Sequence, residues 1–139
     1  MRFMMLMIPD VYQRPIPPDF APPEEAIAAM GRYNEDLFRS GVLLAGDGLY
    51  PPETGARVTY EGGKAKVTDG PFSEAKEVLG GYWIIDVKSR EEAVEWARRI
   101  PAAPGDVVEV RQVQELEDFA RSEAAEIHLR LRDQMLAKK

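Results

Sequence analysis

No cysteine occurs among the 139 residues, which excludes a disulfide framework, a thiol nucleophile and a thiolate metal site and leaves packing alone to hold the fold. Histidine is almost as scarce. The single one, His128, sits between Ile127 and Leu129 in a C-terminal helical pattern, where it reads as a surface or helix-packing residue. Basic residues are outnumbered, 18 against 24 acidic, for a formal net charge of −6. That balance opposes attraction to phosphate backbones and anionic lipid, so neither nucleic acid nor a membrane is an expected partner. Long apolar runs are missing as well. Met1 to Ile8 is apolar except for Arg2 but stops at Pro9-Asp10, short of a signal-peptide core and far short of a membrane span, so a cytoplasmic location is the expectation. There is no GxxxxGK(S/T), no HExxH and no GxSxG, and Gly46-Asp47-Gly48 does not extend to GxGxxG. A metal site would need carboxylates alone, and no close cluster of them suggests one, so no metal and no cofactor are expected.

What remains is ample material for one core, since 45% of the chain is hydrophobic. Phe3 to Ile8 is an unbroken apolar run whose alternate side chains point to opposite faces of a strand, so both faces need cover. Six prolines fall between Pro9 and Pro23, which removes amide donors and predicts a long surface loop, a potential lid. A helix is predicted from Pro23 to Ser40, with Glu24 and Glu25 at its positive end, Gly41 at its stop and Ile27, Met30, Leu37 and Phe38 as its stripe. Asn34 falls inside that stripe, either as a hydrogen-bonded packing residue or as a ligand contact.

A strand at Val42 to Ala45 leads into Gly46-Asp47-Gly48-Leu49. Arg57-Val58-Thr59-Tyr60 and Lys64-Ala65-Lys66-Val67 flank Glu61-Gly62-Gly63, which is hairpin chemistry. Tyr82 to Val87 is a further strand. Ser89-Arg90-Glu91-Glu92 is a capping box that opens a helix with the stripe Ala93, Trp96, Ala97, Ile100, ended by Pro101. The last strand, Val107 to Val113, has Val108 and Val110 on one face and Val107, Glu109, Arg111 and Val113 on the other. A helix from Glu117 to about Leu136 follows, with Ala120, Ala124, Ile127 and Leu131 as the stripe expected to pack on the body or a partner. The chain therefore reads as a domain over residues 1–116 with a helical extension over 117–139.

The order strand, helix, strand, hairpin, strand, helix, strand predicts an α+β fold, a ferredoxin-like split βαβ arrangement with an inserted β-hairpin. Two helices cover one sheet face. Leaving several hundred Å² of the other face wet would forfeit on the order of 10 kcal/mol, so a second copy is the expected cover and the protein an expected homodimer.

The segment with the most chemistry is Asp69-Gly70-Pro71-Phe72-Ser73-Glu74-Ala75-Lys76-Glu77, just before Gly80-Gly81-Tyr82-Trp83. On its residues alone it is either a tight turn with a charged rim or a ligand and proton-transfer site. Asp69, Glu74 and Lys76 are the catalytic candidates. Asn34, Asp47, Gly70, Pro71, Phe72 and Arg111 are the binding candidates, Arg111 offering either a bidentate grip on an anion or an ion pair with Glu109.

Asp69-Gly70-Pro71-Phe72 with Glu74, Lys76, Glu77 and Gly80-Gly81-Tyr82 resembles the DGPF signature of the YCII-related domain proteins. Leu43 to Leu49, Ala93-Val94-Glu95-Trp96-Ala97 with Pro101, and Val108 to Arg111 extend the resemblance over about residues 1 to 115. The resemblance implies a ferredoxin-like fold of the dimeric α+β barrel superfamily, in agreement with the exposed-face argument. The related YciI branch is proposed to act through a His-Asp pair, but no histidine precedes His128 here, so that mechanism does not carry over. Two function classes follow. One is a small-molecule site, binding or catalysing proton transfer, isomerisation or hydrolysis on a small carbonyl or carboxylate compound, with Asp69 or Glu74 as base and Lys76 or Arg111 stabilising negative charge. The other is a non-catalytic regulatory or interaction protein, because DGPF proteins are often encoded beside extracytoplasmic-function sigma factors.

Overall fold

The computed structural model describes residues 1–17, 19–72, 77–119 and 122–138. Four strands form an antiparallel sheet: β1 (Arg2–Ile8), β2 (Leu43–Gly48), β5 (Gly81–Asp86) and β6 (Val107–Gln112), in the order β2-β5-β1-β6. Helices α1 (Glu24–Arg39) and α2 (Arg90–Arg98) complete the split βαβ plan, and β3 (Ala56–Glu61) with β4 (Lys64–Asp69) makes a separate two-stranded hairpin. This is the α+β, ferredoxin-like architecture that the element order predicts. No helix among the described residues is long and apolar enough to cross a membrane.

Register explains which residues meet. β1 is central, pairing Met5 with Trp83 on β5 and with Val110 on β6. The strict alternation of β1 sends Phe3, Met5 and Met7 to the helix-covered face, where Ile85, Leu37 and Met5 lose all solvent contact. Arg2, Met4, Leu6 and Ile8 go to the opposite face, with Tyr82 and Ile84 as their β5 neighbours, and these stay partly exposed. On β6, Val108 and Val110 are partly buried while Val107, Glu109 and Arg111 are exposed, the division that period-two alternation predicts. A register shift between Leu43 and Ala45 marks a bulge in β2.

Helix α1 corrects the predicted stripe. Its buried residues are Tyr33 and Leu37, with Met30 packed partly against the core, whereas Ile27 is 57% and Phe38 73% exposed. At 100° per residue Ile27 and Phe38 both lie roughly 80 to 100° round the helix from Leu37, on the flank and away from the line of Met30, Tyr33 and Leu37 that meets the core. The Tyr33 ring meets Trp83 and Trp96 edge-on, at centroid distances of 5.9 and 6.5 Å. Its hydroxyl donates to the Trp96 carbonyl at 2.7 Å, and burial raises its pKa. The predicted cap of α2 is present in modified form: the Ser89 hydroxyl accepts from the Glu92 amide at 3.1 Å, but the Glu92 carboxylate reaches back to the Lys88 amide at 3.0 Å, one residue earlier than a reciprocal box requires.

The single helix predicted from Glu117 is two pieces, a short turn at Leu116–Asp118 and α3 at Glu123–Ala137, capped by the Ser122 hydroxyl accepting from the Ala125 amide. Serine at that position offers the amides an acceptor and restarts the helix. Ala120 lies outside the described residues; Ala124, Ile127 and Leu131 are exposed, so these three are not covered by the chain's own body. The segment before α3 is held by a bidentate pair between Arg2 and Glu115, at 2.7 and 3.0 Å, which draws the Glu115 carboxyl below its usual range. Truncation after Asp118, which keeps that pair, should therefore shift the melting temperature of dilute protein by less than about 2 °C. A fall of more than about 5 °C would mean that α3 supports the fold.

Candidate functional site

The proline-rich segment is where the surface turns concave. A short turn at Asp10–Gln13 is fastened at three points: the Asp10 amide donates to Asp106 Oδ1 at 2.8 Å, the Gln13 side chain to the Pro9 carbonyl at 2.9 Å, and the Tyr12 hydroxyl to the Leu49 carbonyl at 2.9 Å. Desolvation, with Glu53 adding to it, raises the Tyr12 pKa. Asp106 also accepts from the Ala103 amide at 2.8 Å. One carboxylate thus ties the segment to the loop after α2, because its two oxygens satisfy two amides that prolines nearby cannot replace.

Between this segment and α1 lies a cleft of about 730 Å³. Ile27, Met30 and Asn34 come from α1, Met7 from β1, Phe20 from the loop and Asp10 and Asp106 from its far end. A second cleft of about 460 Å³ shares Met7, Met30, Asn34 and Gly80 and continues to Asp47 and Tyr82 at the edge of the sheet. Gly80 is required by close approach: a Cβ there would lie 2.4 Å from the Pro9 ring.

Asn34 is a hydrogen-bonded packing residue that also borders concave surface. Its Oδ1 accepts the buried indole N–H of Trp83 at 2.8 Å, and the residue lines both clefts. Asp47 lines the second cleft and accepts from the Tyr82 hydroxyl at 2.9 Å, which raises the pKa of that tyrosine. Asp69 is exposed at the end of β4, opposite Ala56 in the register. Gly70 donates its amide to the Gly55 carbonyl at 2.9 Å. Phe72 stacks under the Arg57 guanidinium, 4.3 Å from its ring centroid, and with Pro71 lines a smaller cavity of about 320 Å³ beside Tyr12 and Gln13. Glu74 and Lys76 lie outside the described residues. Arg111 is exposed on β6 and pairs with Glu109 at 3.0 Å, the ion-pair alternative of its sequence reading. Neither Asp69 nor Arg111 lines the clefts described above, so these two are not brought together with Asn34 and Asp47.

The sequence reading missed Asp10, Asp106 and Gly80. For Asp10 the available signal was an acid directly after an apolar strand and Pro9, at the entry of a lid-like loop. Asp106, one residue after Gly105, carried only the mark of a turn.

The family model described as YCII-related domain matches residues 1–117. An uncharacterised protein of Rhizobium meliloti (strain 1021) is 40% identical over 55 residues, 40% of this chain and 44% of its own length. The match thus spans less than half of that relative.

Proposed function

The chain belongs to the YCII-related domain family, and from that premise we propose that it binds a small, largely apolar molecule in the cleft between α1 and the proline-rich segment. The observation that carries this reading is the cleft itself. Its volume of about 730 Å³ falls in the range of small-molecule sites, and its walls are apolar with a few polar groups. Val11, Phe20 and Ile27, each at least 38% exposed, all line it. Ligand cover removes that apolar area from water.

Homodimerisation through the open sheet face belongs to the same proposal, supported by the partly exposed Met4, Leu6, Ile8 and Ile84 on it. A regulatory or interaction role, with an extracytoplasmic-function sigma factor as one candidate partner, is favoured by a different observation. Val58, Tyr60 and Val67 share one face of the hairpin with Asp69 and are 47%, 80% and 65% exposed.

Met7 and Met30 line both clefts, so their methyl groups report on occupancy. With 13C-methyl methionine, 4-phenylbutan-1-ol should move these two signals and leave that of Met135, which is exposed and lines neither cleft, in place. Ala26→Trp, on the exposed wall of the large cleft, should abolish the shifts without unfolding the protein. Equal movement of all methionine signals, or persistence of the shifts in the variant, would place binding elsewhere.

A further inference from the structure

Charge distinguishes this cleft from the site that Arg111 suggested. Among the described residues its lining holds no lysine, arginine or histidine, but two carboxylates, Asp10 and Asp106. The two amides bound to Asp106 are neutral donors, so its negative charge is not cancelled. Asp10 has one counter-ion, Arg14, at 2.9 Å from Oδ2. That arginine is 64% exposed and is not part of the lining, and Asp10 Oδ1 has no donor among the described residues. Two acids therefore face one peripheral cation.

The remaining polar capacity has the same sense. Asn34 spends its oxygen on Trp83, which leaves its NH₂ to meet a neutral acceptor farther along the trough. The continuation of the cleft adds Asp47 and again no cation among the described residues. An entering carboxylate would lose water and meet like charge in an apolar trough, whereas an ammonium group would gain charge-assisted hydrogen bonds from an acid already in place.

Resting on the cleft being the binding site, we propose that it selects apolar amines, the hydrocarbon or aromatic body lying along Ile27, Phe20 and Met30 and the ammonium group at Asp10, and that it rejects carboxylates of the same shape. The ligand class is thus an arylalkyl or alkyl amine, opposite in charge to the anion that Arg111 would grip.

A matched trio of probes tests this: 4-phenylbutylammonium, 4-phenylbutan-1-ol and 4-phenylbutyrate, titrated by calorimetry into the full chain and into Ala26→Trp. The amine should bind tightest and the acid weakest, with roughly tenfold or more between them. Amine affinity should fall with added salt while that of the alcohol holds. Asp10→Asn should bring the amine to within about twofold of the alcohol. If the acid binds as tightly as the amine, and Ala26→Trp abolishes both, the charge preference is wrong and the cleft remains the site. If the probes bind equally well to Ala26→Trp, or none binds the wild type, the cleft reading itself fails and the proposal with it. Because the wild-type ranking and its salt dependence need no variant at Asp10, poor folding of Asp10→Asn does not rescue the idea.

Discussion

Gly80→Ala should lower unfolding free energy by about 1 to 3 kcal/mol and weaken occupancy of the cleft in the same stroke. The added methyl would lie 2.4 and 2.8 Å from Cγ and Cδ of Pro9 and 3.2 Å from the Tyr12 ring. A flexible chain end could swing aside, but a pyrrolidine ring cannot. The backbone on both sides is also fixed. The Gly80 amide donates to the Met7 carbonyl at 2.8 Å and its carbonyl accepts from Leu49 at 2.9 Å, while the Pro9 carbonyl holds the Tyr12 amide at 3.1 Å. Relief therefore requires the proline-rich segment to lift from β5, which opens the wall that Asp10 and Tyr12 contribute. Urea titration measures the first effect and the methionine methyl spectrum the second. A variant within about 0.5 kcal/mol of wild type, still binding the alcohol probe, would show that the segment is not seated as described.

The strand and helix order was legible because its signals are local. The unbroken apolar run Phe3–Ile8, the period-two division of Val107–Val113, the glycine pair between the hairpin strands and Ser89 ahead of α2 each act within a few residues. Arg111 was also legible: an acid two residues away on the same strand face supplies a partner wherever that face lies. The face of α1 was not, because the polar hydroxyl of Tyr33 keeps it out of an apolar stripe, while the apolar Ile27 and Phe38 on the flank are counted into it. The cleft was harder still. Asp10 and Asp106 are 96 residues apart in sequence, and their meeting depends on β1 and β6 being neighbours. The Asp69 turn drew attention by its residue chemistry, yet Asp69 stands exposed on a hairpin that is not part of the main sheet. Conspicuous composition and concave shape have separate physical origins, and here Asp69 falls outside the two larger clefts, although Pro71 and Phe72 of the same turn line the smaller cavity.

Ile84→Glu should disrupt the proposed sheet-to-sheet dimer, weakening self-association more than about 100-fold while leaving the fold of each chain intact. Ile84 is opposite Met4 on β1 and Ala45 on β2, in the interior of the four-stranded sheet and on the face that neither α1 nor α2 covers. In an isolated chain it is only partly buried, so a glutamate there can reach water and the monomer loses little. In a sheet-to-sheet dimer the same side chain would be central. A carboxylate at that place must be desolvated with no cation opposite, and two-fold symmetry brings a second one toward it. The chain's net charge of −6 adds to the repulsion, so high salt should recover part of the lost association. Sedimentation velocity over a concentration series measures the effect, with far-ultraviolet circular dichroism as the control for folding. Wild type that remains monomeric at high micromolar concentration, or a variant that associates as wild type does, would remove the open face as the dimer contact. In the second case the exposed face of the hairpin, carrying Val58, Tyr60 and Val67, would become the surface to alter next.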